Sequence, residues 1–215
     1  MPKRREIHER VLNAVNKEEL ASAYSEWAET YDTDLVDEMG YVAPVLTCEL
    51  LLEYLENVQA KILDAGCGTG LVGSYLYQHD YHNVEGFDYS SAMLKKAKAK
   101  SIYRDLYQGD LTTTLKLPDN HYTAIISVGT FTSGHVGPEA FEELIRITHP
   151  EGYLCFTVRD QAWEKDNYRS TLIDLEQKGL WKLVEERTMP YIQQEGSNCK
   201  ICLYQKSICP SFEAK

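Results

Sequence analysis

Three aspartates close short apolar runs along the chain: Asp64 after Ile62-Leu63, Asp88 after Asn83-Val-Glu-Gly-Phe87, and Asp110 after Leu106-Tyr-Gln-Gly109. A carboxylate at a strand tip accepts hydrogen bonds from sugar hydroxyls or an exocyclic amine, the donors that a nucleoside offers. The first acid opens the stretch Asp64-Ala-Gly66-Cys-Gly68-Thr-Gly70. Its glycines permit backbone conformations barred to other residues and let a ligand approach the main chain. A helical pattern starts at Leu71 and runs to about Tyr77, so its free N–H groups and positive dipole end point back at that ligand. The stretch reads as a cradle for a nucleotide-type ligand.

Two cofactor classes use such a cradle. Gly68-x-Gly70-x-x-Gly73 is a literal dinucleotide fingerprint, which predicts an NAD-dependent oxidoreductase. Asp64-x-Gly66-x-Gly68-x-Gly70 instead resembles the S-adenosylmethionine motif of class I methyltransferases. Asp88 lies about twenty residues beyond the glycines and serves a ribose in either class, with Tyr89 placed to lie against an adenine face. Asp110 with Leu111, one strand and helix later, offers an acceptor and an apolar wall to the base. That position suits the methyl donor better.

The reacting end of the ligand should face the fourth strand. His121-Tyr-Thr-Ala-Ile-Ile-Ser127-Val128 opens into Gly129-Thr-Phe-Thr-Ser-Gly-His135, and ligands of open parallel sheets gather at such carboxyl ends. His135 is the candidate general base, because an imidazole titrates near neutrality. Its bland alternative is a side chain that only shapes the loop.

The elements that must position these groups follow from periodicity. Leu20, Tyr24, Trp27 and Tyr31, spaced 4, 3 and 4 apart, share one helical face, which predicts a lid, a core-docking helix, or both. Residues 1 to about 18 are charged and mixed in sign, a solvated helix or mobile end without readable chemistry. Pro44 suits the first turn of a helix whose apolar positions Leu46, Leu50, Leu51, Leu55 and Val58 recur at helical spacing. Ser90 or Ser91 caps a helix from Ala92 to Lys100, with Met93, Leu94 and Ala97 inward and the lysines solvated. A further helix carries Phe141, Leu144, Ile145 and Thr148, and Tyr153 to Val158 is the fifth strand. Trp181 to Met189 and Cys199 to Lys206 alternate like two antiparallel strands joined at Gly196-Ser-Asn198. An α/β repeat ending in an antiparallel pair again favours the methyl donor.

A chain of 215 residues with 43% hydrophobic content predicts one well-packed α/β domain, residues 1–215, with a helical lid over about 1–58 and a core over about 60–206. A net charge of −11 disfavours a broad nucleic-acid surface. No apolar run reaches membrane-spanning length and no secretory signal is present, so the expected compartment is cytoplasmic, with the nucleus also permitted. Six cysteines then read as free thiols. Cys199-Lys-Ile-Cys202 lacks a second ligand pair, so no metal is expected, and Cys199, Ile201 and Leu203 should share one strand face with Cys202 on the other.

Taken together, Asp64-Ala-Gly66-Cys-Gly68-Thr-Gly70, Gly86-Phe-Asp88-Tyr-Ser90, Gln108-Gly-Asp110-Leu111 and Thr148-His-Pro-Glu-Gly152 resemble the class I S-adenosylmethionine-dependent methyltransferases over about Tyr24 to Lys206. Within them, Trp27-Ala-Glu-Thr-Tyr31-Asp32 and Ser127-Val-Gly-Thr-Phe-Thr-Ser-Gly-His-Val136 are similar to the methyltransferase-like branch of the Williams-Beuren syndrome region. The resemblance implies a Rossmann-like seven-stranded sheet in the order 3-2-1-4-5-7-6, last strand antiparallel, beneath N-terminal lid helices. It implies S-adenosylmethionine as cofactor and S-adenosylhomocysteine as product. Asp88 goes to the ribose, Asp110 and Leu111 to the adenine, Gly66 beside the methionine moiety and Tyr31 near its carboxylate; Asp64, Gly68 and Ser127 complete the motif set. The turn before the fifth strand usually carries two glycines in that family, and here Glu151 replaces one. The expected reaction is in-line methyl transfer, to a small molecule in preference to a protein side chain. A non-catalytic cofactor-binding partner protein is the rival reading.

Overall fold

The computed structural model describes residues 2–14, 16–132 and 136–208. The short apolar runs become strands of a single sheet: β1 (Ile62–Ala65), β2 (Val84–Asp88), β3 (Leu106–Gln108), β4 (Tyr122–Phe131), β5 (Thr148–Arg159), β6 (Trp181–Ile192) and β7 (Ser197–Lys206). Their order is β3-β2-β1-β4-β5-β7-β6. Strands β3 to β5 are mutually parallel, and β7 runs antiparallel to β5 and β6. This is the order and polarity that the resemblance implies. From β1 the chain builds outward first through β2 and β3, then on the other side through β4, so the β1/β4 boundary is the switch point where ligands gather.

Successive residues of a central strand feed opposite layers, which is why its run is continuously apolar. Ile62, Ala124, Ile126 and Cys155 pack in one layer with Leu50 and Leu51 of α3 (Ala43–Leu52) and Leu76 of α4 (Leu71–Gln78). Leu63, Ile125, Leu154 and Phe156 enter the other, with Phe141 and Leu144 of α6 (Ala140–Ile147) and Leu172 of α8 (Tyr168–Gln177). Cys199, Ile201 and Leu203 join the first layer and Cys202 the second, as strand alternation requires. Helix α5 (Ser91–Ala99), capped by the Ser90 hydroxyl accepting from Met93 N, packs beside β2 and β3, and the short α7 (Asp160–Lys165) joins the second layer through Ala162. Upstream, α1 (Pro2–Leu12), α2 (Lys17–Trp27) and a π-helix (Thr33–Glu38) cross the carboxyl edge of the sheet. Asn16 caps α2 by accepting from Glu19 N at 2.8 Å.

Three boundaries differ from the periodicity, the first being that α6 ends at Ile147 and β5 begins at Thr148, which the spacing places in the helix. Apolar spacing through Val58 predicts a longer helix, but α3 stops at Leu52; Leu55 still reaches the core from the following turn, while Val58 is exposed. The β6–β7 connection is a 3-10 turn over Gln193–Glu195 closed by Gly196 at φ 62, earlier than expected. Strand β6 continues through Tyr191 and Ile192 because both are buried against the π-helix and α3 region, with Tyr41 pairing Ile192 in an isolated bridge.

Glu151, the residue standing where the resemblance expects glycine, adopts φ 64. Its neighbour Gly152 is the tighter site, since a Cβ there would lie 2.7 Å from the Thr123 carbonyl oxygen. A side chain in the left-handed region is strained, so Glu151→Gly should stabilise the fold by about 0.5–1 kcal/mol after the added flexibility of the unfolded chain is set against it. Chemical denaturation should show a higher midpoint; an unchanged or lower one contradicts the strain.

Candidate active site

Strand β1 ends at Ala65 and the glycine loop turns at once across the tip of β2. Gly66 N and Cys67 N both donate to the Phe87 carbonyl, at 2.7 and 3.0 Å, which fastens the start of the loop to the neighbouring strand. Gly68 N then donates to Asp88 Oδ2 and Ser90 N to Asp88 Oδ1, each at 2.8 Å. Asp88 is thus held between the glycine loop and the cap of α5. Burial pushes its pKa above the ordinary carboxylate value despite these backbone donors. Gly66 itself lies at φ 81, and a Cβ there would stand 2.1 Å from Thr130 Oγ1 of β4, so no larger residue fits the crossing.

Above this loop is an open cleft that encloses about 840 Å³ when its solvent-open mouth is counted. Tyr31, Gly66, Gly68, Asp88, Tyr89, Asp110 and Leu111, all proposed from sequence, line it together. Lys17, Leu20, Ala21 and Tyr24 of α2 form its roof, with Thr130 and Gly129 of β4 at its inner end. Asp110 accepts from Thr112 N at 2.9 Å and Thr112 Oγ1 at 2.7 Å, and from Lys17 Nζ at 2.5 Å. Burial alone would raise its carboxyl, but the Lys17 and Thr112 bonds outweigh that and hold it below the usual range.

Asp64 and Ser127 do not line the cleft; they lie beneath its floor. Ser127 Oγ donates to the Ala65 carbonyl at 2.7 Å, and Thr130 Oγ1 donates to the same oxygen at 3.2 Å, strapping β4 to the end of β1. Asp64 is fully buried and accepts from Tyr103 Oη at 2.5 Å, while its Oδ1 has no partner among the described residues. Burial pushes its carboxyl up to about 7, with the Tyr103 bond pulling the other way. His135 lies outside the described residues. No group of His, Cys, Asp or Glu among the described residues is arranged to hold a metal ion.

Removing the Tyr103 hydroxyl tests this buried pair. Tyr103→Phe should cost about 1–3 kcal/mol, the penalty of an unmet buried polar group. A folded value near 7, above the unfolded one, means that Asp64 favours the fold at low pH and ceases to as pH rises through about 7. Loss of a donor to the carboxylate raises the folded value further, so the destabilisation should be larger at pH 8 than at pH 5. Denaturant midpoints at the two pH values check this; equal losses contradict it.

The lid is tied down from several sides. Asp32 accepts from Thr69 Oγ1 of the glycine loop and from Lys100 Nζ at 2.7 Å. The aromatic stripe divides: Tyr24 and Tyr31 face the cleft, whereas Trp27 is buried, with its indole N–H donating to Asp34 at 2.9 Å. Sequence reasoning missed Lys17 and Asp32, since nothing local marks a lysine whose partner is 93 positions away.

Residues 63–156 match the family described as methyltransferase domain. Human methyltransferase-like protein 27, from the Williams-Beuren region, is 34% identical over 186 residues, covering 82% of this chain and 75% of that protein. The chain belongs to the S-adenosylmethionine-dependent methyltransferases. Malonyl-[acyl-carrier protein] O-methyltransferase of Pectobacterium atrosepticum is 31% identical over 161 residues, 70% of this chain and 60% of that enzyme. A TehB-like SAM-dependent methyltransferase from Corynebacterium glutamicum shares the fold, with TM-score 0.66 and 23% identity over 86% of this chain and 100% of that one. The dinucleotide reading is overturned, and the third glycine of its fingerprint has another use: a Cβ at Gly73 would meet the Tyr103 ring at 2.3 Å. The residues of this methyltransferase fit S-adenosylmethionine: a Cβ-free crossing at Gly66, an open face at Gly68, and carboxylates at neighbouring strand tips, with Asp88 opposite Gln108 and Asp110 two residues beyond.

Proposed function

We propose that this methyltransferase acts on a small molecule in the cytosol, with the acceptor enclosed beneath the lid. One observation carries the reading: Tyr24, Tyr31 and Gly129 line both the cofactor cleft and a second cavity behind it, which α1 and α2 cover through His8, Val11 and Trp27. A chamber roofed this way suits a free metabolite better than a side chain held on a folded protein. The unpaired thiols Cys48, Cys67, Cys155, Cys199 and Cys202 support a reducing compartment.

The bound cofactor supplies a methyl group already activated on a sulfonium sulfur, so the departing group needs no proton. What this chain contributes is binding, alignment and exclusion of water, effects worth several kcal/mol together. Asp88 would accept the ribose hydroxyls, Asp110 and Leu111 would hold the adenine, and Tyr89, which is 46% exposed, is free to cover its face. Gly66 and Gly68 offer backbone to the amino-acid end, with Tyr31 above it. Asp64 and Ser127 act from below, the first through Tyr103 and the second through the Ala65 carbonyl, by holding the loop in place. Lys17 closes the roof across Asp110, leaving that carboxylate one lone pair to spare, on Oδ2.

Incubation with methyl-labelled cofactor and fractionated cell extract tests the reading. Label is expected in the metabolite fraction. Label confined to protein overturns the small-molecule acceptor, and no transfer at all supports a cofactor-binding partner protein in its place.

A further inference from the structure

The second cavity holds a full positive charge in a wall of aromatic and aliphatic side chains. Trp27 and Tyr31 meet edge to face with centroids 4.9 Å apart, and Tyr41 and Tyr191 do so at 5.0 Å. Arg159, the last residue of β5, lines the same cavity, and its side chain is only 16% exposed. Its guanidinium lies 4.8 Å from the centre of the Tyr191 ring. Resting on the small-molecule reading above, we propose that this cavity binds the methyl acceptor and that the acceptor is a small monocarboxylic acid whose carboxylate pairs with Arg159.

The hydrogen-bond inventory carries the assignment. A guanidinium has five N–H donors in a fork that matches a carboxylate, and burying it is costly unless they are met. Among the described residues Arg159 donates through Nη2 to Glu195 Oε2 at 3.1 Å and to nothing else. Glu195 is itself shared, since its Oε1 lies 3.2 Å from His8 Nδ1 and its Oε2 accepts from Ser197 Oγ at 3.2 Å. Arg159 therefore keeps donors for a second anion on the cavity side. Burial lowers the basicity of His8, and Arg159 is the one lysine or arginine that lines the cavity among the described residues. A single lining guanidinium suits a monoanion better than a phosphate dianion.

Placement agrees with the chemistry. Val158 pairs with Phe131 in the sheet, which sets Arg159 beside the end of β4 where Gly129 joins the two cavities. A Cβ at Gly129 would stand 2.6 Å from Tyr41 Oη and 3.0 Å from Tyr191 Oη, so both hydroxyls border that neck; Tyr41 Oη donates to Tyr191 Oη at 3.3 Å, which leaves the Tyr191 hydroxyl as the donor toward the acid. The competing account makes Arg159 a fastener of the β6–β7 turn through Glu195 alone.

Calorimetry separates these accounts. Protein saturated with S-adenosylhomocysteine is titrated with hexanoate, benzoate and phenylacetate, and with the amide of each as a neutral isostere. At least one acid should bind about tenfold or more tightly than its amide. Arg159→Gln should abolish that preference while S-adenosylhomocysteine affinity stays within about twofold, and Arg159→Lys, which keeps charge without the fork, should retain part of it. Acids that bind no better than amides, no acid binding at all, or a preference that survives Arg159→Gln would each overturn the proposal. Should Arg159→Gln fail to fold, the acid-to-amide ratio in the unaltered protein and in Arg159→Lys decides. Label entering only protein in the extract experiment overturns the small-molecule reading and this proposal together; label in metabolites without acid preference overturns the Arg159 assignment alone.

Discussion

Asp88→Ala is expected to weaken S-adenosylmethionine binding about 30- to 700-fold, from the loss of two charge-assisted hydrogen bonds worth roughly 2–4 kcal/mol together. The carboxylate is held at both oxygens by Gly68 N and Ser90 N, each at 2.8 Å, so it is aimed before any ligand arrives. Truncation removes the ribose acceptors and also frees the backbone of the glycine loop. Asp88→Asn should be milder than alanine but still impaired, because its amide nitrogen must face one of those two backbone donors. Calorimetry with the cofactor reads both variants. An affinity unchanged by Asp88→Ala would remove this residue from the site and with it the proposed arrangement of ribose and base.

Gly73→Ala should be strongly destabilising for a single added methyl. An added Cβ would lie 2.3 Å from Tyr103 Cζ and 2.4 Å from its oxygen. The ring has little room to retreat, because Cβ atoms built on Gly70 and Gly86 would also meet it, at 3.1 and 3.3 Å. Displacing it takes the hydroxyl from Asp64, leaving that buried carboxyl with neither oxygen bonded to a side chain. Overpacking of about 1–3 kcal/mol and a similar cost for the unmet polar group combine to roughly 2–5 kcal/mol. At a few degrees per kcal/mol for a chain of this size, the unfolding temperature should fall by about 5–15 °C. A thermal midpoint within a degree of the parent protein would show that Tyr103 is not wedged there.

Both effects arise at places where the chain could be read only in part. Asp88 was legible because its role follows from local pattern: an apolar run sets the strand, and an acid at its end must sit at the carboxyl edge of a parallel sheet. The same logic reached Asp110 and the glycine stretch. It named Asp64 and Ser127 as well, yet these lie under the cleft floor, since alternation along a strand tells which residues are buried and not how deep a ligand reaches. Tyr103 carried no signal at all. It follows α5 in a loop, and only the crossing of that loop over α4 brings its ring against Gly73.

The N-terminal segment shows the division most sharply. Helical spacing of Leu20, Tyr24, Trp27 and Tyr31 was sufficient to predict an apolar stripe, but Lys17 and His8 belonged to a stretch without readable chemistry. In the fold Lys17 reaches Asp110 and His8 reaches Glu195. Sequence by itself determined the α/β class, the strand tips that carry the acids, the glycine cradle and hence the kind of cofactor. Tertiary structure alone decided which charges meet: Lys17 with Asp110, Asp32 with Lys100, Arg159 with Glu195. The physical reason is range, because backbone preference and burial period are set by neighbours within a few residues, whereas an ion pair depends on where the chain returns after many.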